Sequence, residues 1–423
     1  MKRPSGRRHS SWEGFLDWQQ TAALNGGLRG PTMGLEPLEY RKIINIFQTD
    51  AAPGEYEMPE RSSIDIGGAP VVTLERPRPS DTSRPAFLSA QILPGRGMLT
   101  LQVTAHLPLQ GDTELLAPSF EKAREIILNG DSEEFKGNAS YLVGGAFLIP
   151  YANRIRGELS PDGKAIDTEI LGKPVRLPAN AGGKKPGAER YAMHGLMLAS
   201  SVDGLHRQTT AEQDGFRASF HAGDFGHRWP SSTEVSFENV LRSESFTVTV
   251  TARNVGNESL PIGIGWHPYF ALPSGRREQA RLHVPARRRV VVNDYDEVLP
   301  TGEVLPVAGT PYDFSMPGGK ALGDLYLDDC FVDLERSTEG HVVAEVVDPE
   351  ASYGFRVVGT SPHIKAVQVY GPPEKDFIVL EPQFNLADPF GPQWGPDVDT
   401  GMVVLEPGES VVYSARLELF VPQ

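Results

Sequence analysis

Along most of the chain apolar and polar residues alternate in short runs, and Gly, Pro, Asn and Asp punctuate the gaps between them. Residues 246–253 read Phe-Thr-Val-Thr-Val-Thr-Ala-Arg, a period of two with one apolar and one hydroxyl face, as a half-buried strand requires. Residues 98–106, 290–292, 342–347, 355–358, 365–370, 377–380, 402–405 and 411–420 are further strand candidates, alternating or β-branched. After residue 253, Asn254-Val-Gly-Asn-Glu-Ser259 reads as a turn and residues 260–266 as a return strand, which predicts a hairpin. Helical periodicity is sparse. Residues 119–128 place Phe120, Ala123, Ile126 and Ile127 on one face, and residues 12–24 are a second, less even candidate. The pattern predicts an all-β protein: one large, mostly antiparallel sandwich with few short helices.

Arg76-Pro-Arg-Pro-Ser-Asp-Thr-Ser-Arg-Pro85 reads as a linker. It divides the chain into an N-terminal extension, 1–84, partly disordered with added strands at 41–48 and 71–74, and a β-sandwich domain, 85–423.

Composition narrows the chemistry. With 39% hydrophobic and 22% charged residues the chain has the make-up of a globular domain, and no stretch approaches the ~20 apolar residues of a membrane span. Fifty-five acidic against forty basic residues, net −15, argue against a phosphate-neutralising surface, so nucleic acid is not an expected partner. Cys330 is the single cysteine, which excludes an intrachain disulfide and a zinc site built on paired cysteines. The basic start, with Lys2, Arg3, Arg7 and Arg8, is followed by Ser10, Ser11, Glu13 and Asp17 rather than an apolar run. No cleaved signal is expected, and a cytoplasmic location is. There is no phosphate-binding Gly-x-x-x-x-Gly-Lys-Ser/Thr, no His-Glu-x-x-His and no compact acidic cluster, so neither metal nor cofactor is expected.

Five segments carry candidate chemistry. In Gly265-Trp-His267-Pro-Tyr-Phe270 a strand delivers a histidine among aromatic rings, and Pro268 ends regular pairing. It is either a core histidine bonded to a carbonyl or part of a small polar-ligand pocket. Phe377-Ile-Val-Leu-Glu381-Pro-Gln383 ends an apolar strand on a carboxylate, either salt-bridged or held at a raised pKa for a purpose. Pro150-Tyr-Ala-Asn153-Arg154-Ile155 sets a guanidinium in apolar surroundings, suited to several hydroxyl oxygens at once or to a surface acid. Met193-His194-Gly195 and Leu327-Asp328-Asp329-Cys330-Phe331 complete the set.

Taken in order, Asn-Arg-Ile, His-Gly, Gly-Trp-His-Pro-Tyr-Phe, Asp-x-x-Phe and Leu-Glu-Pro-Gln, with the closing Leu405-Glu-Pro-Gly-Glu409-Ser, resemble the aldose 1-epimerase (galactose mutarotase) family over roughly residues 85–420. The resemblance implies the β-supersandwich of galactose mutarotases, a monosaccharide ligand and no cofactor. It implies His267 as general acid and Glu381 as general base, with Asn153, Arg154, His194 and Asp328 contacting the sugar. Asp328 stands three before Phe331, and Asp329 takes its part if the register slips by one.

The implied chemistry is the interconversion of α and β anomers by ring opening and re-closure, with acid and base on opposite sides of the sugar and both titrating near neutrality. A non-catalytic sugar-binding protein on the same fold, and a hexose-6-phosphate 1-epimerase, are the alternatives. The Lys-rich loop Gly182-Gly-Lys-Lys-Pro-Gly187, folded over the mouth of the site, would favour an anionic or larger sugar.

Overall fold

The alternating runs assemble into two large antiparallel sheets. The structure, a computed structural model, describes residues 65–422; the helix expected at 12–24 and the strand expected at 41–48 lie outside them. The first sheet has eleven strands. Its order is Val72–Glu75, Ala86–Leu93, Leu99–Leu107, Gly145–Leu148, Gly265–Ala271, Phe377–Gln383, Ala366–Gly371, Leu327–Leu334, Ala286–Val292 and Pro300–Pro306, with Gly111–Glu114 branching from Leu99–Leu107. The second has nine strands, centred on Thr233–Leu241, Ser245–Asn254, Ser410–Phe420 and Tyr353–Gly359.

Alternation explains why they stack. In Ser245–Asn254 the side chains of Phe246, Val248, Val250 and Ala252 are buried while Thr247, Thr249 and Thr251 are half-buried on the other face. Gly265–Ala271 turns Trp266 and Phe270 inward to meet them: the ring centroid of Phe246 lies 6.3 Å from Trp266, and that of Phe270 lies 4.3 Å from Phe355 of the second sheet. The opposite face of the first sheet is left for His267 and Tyr269. The helix forms at Phe120–Gly130 and buries Ala123, Ile126 and Ile127, the face its periodicity marks.

Two local expectations change. The stretch Arg76–Pro85 joins two paired strands, since Val72–Glu75 runs antiparallel to Ala86–Leu93 in register Val72 with Ile92. The expected hairpin after Ser245–Asn254 does not form. That strand pairs with Thr233–Leu241 and Ser410–Phe420, while Leu260–Ile262 pairs with Val403–Leu405 and Gly265–Ala271 joins the other sheet. The cause is Asn254, which is fully buried. Its amide donates to the carbonyls of Glu258 (2.7 Å) and Leu405 (2.8 Å), and its Oδ1 accepts from Ser231 Oγ and the Gly256 N–H. The side chain thus steers the chain out of one sheet and into the other.

Replacing Asn254 with Ala leaves several buried partners without a bond, each worth about 1–3 kcal/mol. We expect Asn254→Ala to lower unfolding free energy by about 3 kcal/mol in urea titrations, and Asn254→Asp, which keeps only the acceptor, to recover part of it.

Candidate active site

The register of three strands sets the floor of the site. Gly265 pairs with Gln383 and Tyr269 with Val379, so His267 falls opposite Glu381 on the neighbouring strand. Gln368 pairs with Glu381 and Cys330 with Gln368, which continues the row across the sheet. The next row holds Tyr269, Val379, Tyr370 and Asp328. Because successive side chains point to opposite faces, all of these polar groups share the face turned away from the core. Gly265 makes room at the end of the row: a Cβ there would stand 3.0 Å from Glu381 Oε1.

A second wall comes from loops. Arg154 opens a short strand, Arg154–Ile155, paired with Arg190–Met193, and His194 follows directly. Asn153 and His194 both have left-handed backbones, φ 62° and 64°. Such conformations are uncommon outside glycine and persist where the surroundings enforce them. Here the His194 N–H donates to the Asn153 carbonyl (2.8 Å), and the Asp388 N–H donates to the Arg154 carbonyl (2.6 Å). Gly195 is also left-handed, at φ +81°, and a Cβ on it would lie 2.3 Å from the Ile149 carbonyl oxygen. Only glycine lets the chain pass so close.

The walls meet in a closed cycle of polar contacts. Arg154 Nη1 donates to Asn153 Oδ1 (2.7 Å), Asn153 Nδ2 to Gln368 Oε1 (3.1 Å), and Gln368 Nε2 to Asp328 Oδ1 (2.7 Å). Asp328 Oδ2 returns to Arg154 Nη2 at 3.6 Å. The alternative residue, Asp329, points the other way. It is fully buried against Arg289 Nη1 (2.8 Å) and the Tyr295 hydroxyl (2.9 Å), and it accepts the Asp328 N–H (3.2 Å). Of the two carboxylates, Asp328 is the one that faces Arg154.

All six residues singled out from the sequence therefore come together, with one difference in layout. His267 and Glu381 are not on opposite sides of a sugar-wide cavity; Nε2 and Oε2 are 3.6 Å apart, side by side on adjacent strands. Inter-strand spacing, about 4.8 Å, dictates this once they are opposite in register. The ring of His194 completes the corner, 5.0 Å from that of His267 and 5.1 Å from that of Tyr141.

Burial dominates the electrostatics. It raises the Glu381 carboxyl well above its usual range, reinforced by Asp328 and opposed by Arg154. Burial also lowers His267 to about 4, helped by Arg154, rather than leaving it near its ordinary value as the sequence suggested. His194 is pushed well down by burial and by His267. Both shifts favour the uncharged forms, a carboxylic acid beside a neutral imidazole, over a buried ion pair. Neither Glu381 oxygen has a hydrogen-bond partner among the described residues. A buried carboxyl so placed is a group available to a ligand.

The basic loop is offset by acids. Lys185 Nζ pairs with Asp294 (2.6 Å), and the Lys184 and Lys185 N–H groups donate to Asp296. Pattern reading missed Gln368, hidden in an apolar strand, and Asn385, whose side chain clamps the Ala152 N–H (3.0 Å) and carbonyl (2.9 Å). It also missed Arg277, which donates to the carbonyls of Gly323, Leu325 and Gly371. Only the register and the loop contacts reveal them.

Fold and site together define a galactose mutarotase-like β-sandwich. Solved structures of the same fold include a galactose mutarotase-like protein from Clostridium acetobutylicum, with TM-score 0.60, 17% identity, and coverage of 79% of this chain and 93% of that one. A galactose 1-epimerase from Lactobacillus acidophilus aligns with TM-score 0.55 and 17% identity over 84% of this chain and 99% of that one. The profile of the aldose 1-epimerase family matches residues 113–418, and the chain belongs to that family. Among curated proteins, YphB of Escherichia coli K12, itself uncharacterised, is 27% identical over 187 residues, 42% of this chain. The match spans 57% of that relative's length. Among the described residues no helix is long and apolar enough to cross a membrane, and no group of metal-ligating side chains occurs.

The raised Glu381 carboxyl has a thermodynamic signature. A group whose folded pKa exceeds its unfolded value is protonated in the folded state while the unfolded state has lost the proton, so stability falls as pH rises through that interval. Glu381→Gln removes the titration. We expect the variant to gain stability relative to the wild type from about pH 4.5 upward, by up to ~1.4 kcal/mol per pH unit, read from urea melts at several pH values. A difference independent of pH would mean that Glu381 ionises normally in the folded protein.

Proposed function

We propose that this protein is an aldose 1-epimerase that interconverts the α and β anomers of a free aldose. The observation that carries the proposal is the His267–Glu381 pair: an imidazole and a carboxyl 3.6 Å apart, buried together on adjacent strands. Opening a pyranose requires removal of the O1 proton and delivery of a proton to the ring oxygen. Both oxygens are bonded to C1, so the groups that serve them must be neighbours, which suits adjacent strands better than opposite walls.

Glu381 as carboxylate takes the O1 proton and His267 as imidazolium protonates the ring oxygen, giving the open-chain aldehyde. Glu381 is then a carboxylic acid and His267 a neutral imidazole, the state that burial favours in the free site. Rotation about C1–C2 presents the other face of the carbonyl; Glu381 returns its proton to O1 while His267 removes the proton from the attacking hydroxyl. One proton stays with the pair at every stage, and only its position changes. An O1–H donating to Glu381, with Arg154 nearby, favours the carboxylate that begins the cycle.

Arg154, Asp328 and Asn153, locked in their cycle with Gln368, offer fixed donors and acceptors to the sugar hydroxyls, and His194 sits beside the reacting pair. The cations around the site each face a carboxylate: Arg154 faces Asp328, Arg289 faces Asp329, and Lys185 faces Asp294. This balance supports a neutral sugar over a sugar phosphate. A binder without turnover would have no use for an acid and a base buried side by side.

Polarimetry on freshly dissolved α-glucose and α-galactose tests the reading. We expect acceleration by the wild type and a loss of about 10²–10⁴-fold in kcat for Glu381→Gln and for His267→Asn, with the double variant little worse than either single one because the two act as a unit. No acceleration of any aldose, with sugar binding retained, would favour the non-catalytic alternative.

A further inference from the structure

The chain that leaves the Glu381 strand passes directly to the segment that presents Arg154. Asn385 bonds the N–H and carbonyl of Ala152, and Asp388 bonds the Arg154 carbonyl and the Arg156 N–H. Asp388 is 2% exposed, and all of its polar atoms are engaged. Its N–H donates to the Arg154 carbonyl (2.6 Å), and its Oδ1 accepts the Arg156 N–H (3.0 Å). Its Oδ2 accepts from Gln393 Nε2 (3.0 Å), and its carbonyl accepts the Gly391 N–H (2.9 Å) and Trp394 Nε1 (3.0 Å).

The backbone of Asp388 makes this possible. It is left-handed, at φ 47°, a conformation that aspartate tolerates better than most residues. In it the N–H and the carboxylate address one neighbouring segment at two points, residues 154 and 156. Gly391 closes over the carboxylate, since a Cβ there would stand 2.0 Å from Asp388 Oδ2. Burial raises the carboxyl above its usual range, opposed by the Arg156 N–H and by Gln393.

Arg154 depends on support from outside its own strand. Arg154–Ile155 is two residues long and pairs with Ala192 and Met193, shorter than the three to ten residues of an ordinary strand. Its side chain nonetheless has an exact aim, with Nη1 on Asn153 Oδ1 (2.7 Å) and Nη2 3.6 Å from Asp328. A small rotation of the Arg154 backbone is magnified along a side chain this long. Asp388 blocks that rotation from the edge opposite Ala192 and Met193, and the Arg156 guanidinium, bonded twice to Glu189 (2.8 and 2.7 Å), anchors the next turn of chain.

We propose that Asp388 is a positioning residue for sugar binding: it fixes the backbone of residues 154–156 so that the Arg154 guanidinium meets the substrate already aligned beside Asp328. Asp388 touches no reacting group and acts through Arg154. It follows Glu381 by seven residues, so one stretch of chain sets both the proposed base and the guanidinium. The role rests on the epimerase reading above.

The left-handed backbone decides which substitutions isolate the carboxylate. Glycine adopts this conformation without strain, so Asp388→Gly removes the side chain alone. Asparagine also tolerates it, and Asp388→Asn keeps the acceptor for the Arg156 N–H while offering an amide to Gln393, whose Oε1 has no partner among the described residues. Mutarotation of α-glucose and α-galactose is followed by polarimetry over a range of sugar concentrations in the wild type and both variants. We expect Asp388→Gly to raise KM about tenfold with kcat within about threefold of the wild type, the signature of binding lost equally from ground and transition states. Asp388→Asn should hold KM within about threefold of the wild type. Gln393→Leu, which frees the carboxylate without removing it, should raise KM about threefold, and it carries the test if Asp388→Gly does not fold. A lowered melting temperature with wild-type KM and kcat, or a fall in kcat at unchanged KM, overturns the assignment and leaves the epimerase reading intact. Absence of turnover of any aldose by the wild type overturns both.

Discussion

Two titratable side chains buried beside each other are the constraint around which this structure is arranged. His267 and Glu381 face each other because the register of their two strands puts them there, and burial removes the solvent that would let each ionise independently. Burial favours the uncharged form of each, since a lone charge in that position would cost several kcal/mol. The same arrangement leaves the Glu381 carboxyl without a hydrogen-bond partner among the described residues, on the sheet face that carries the polar row. Strand register and desolvation are thus one arrangement, and the proposed chemistry uses both.

The surrounding wall answers a different requirement. The proposed sugar ligand presents many similar hydroxyls, and recognising them needs donors and acceptors that do not rearrange. The cycle through Arg154, Asn153, Gln368 and Asp328 provides this, since each side chain has its orientation set by the next. Behind it, Asn385 fixes the Ala152 backbone and Asp329 fixes the Asp328 backbone. These supports touch no reacting group, and they convert loops into a rigid wall.

Much of this was legible in the sequence, because β-strands write their burial as alternation. The run of threonines and valines at 246–253 predicts its own two faces, and nearly every strand candidate has its counterpart within a residue or two. The site was legible where chemistry-bearing residues sit in distinctive strings, as His267 and Glu381 do beside their prolines. What the sequence did not disclose was pairing between strands. The hairpin expected after residue 253 does not form: a buried Asn254 bonds to the Glu258 carbonyl in its own turn and to the Leu405 carbonyl on a distant strand, and the second contact is one that no local pattern encodes. The side-by-side placement of His267 and Glu381 likewise follows from register alone. The lowered His267 depends on total burial, which a strand-end motif does not reveal.

Gly195 carries a consequence out of proportion to its size. Its α-carbon runs against the Ile149 carbonyl so closely that even a methyl group would overlap it, and the residues on either side of that contact lead into His194 on one segment and Arg154 on the other. The spacing between these two segments is therefore set by a backbone-to-backbone touch rather than by any side chain. Exchanging side chains along them changes the chemistry they present, while their gauge stays fixed for as long as that touch is kept.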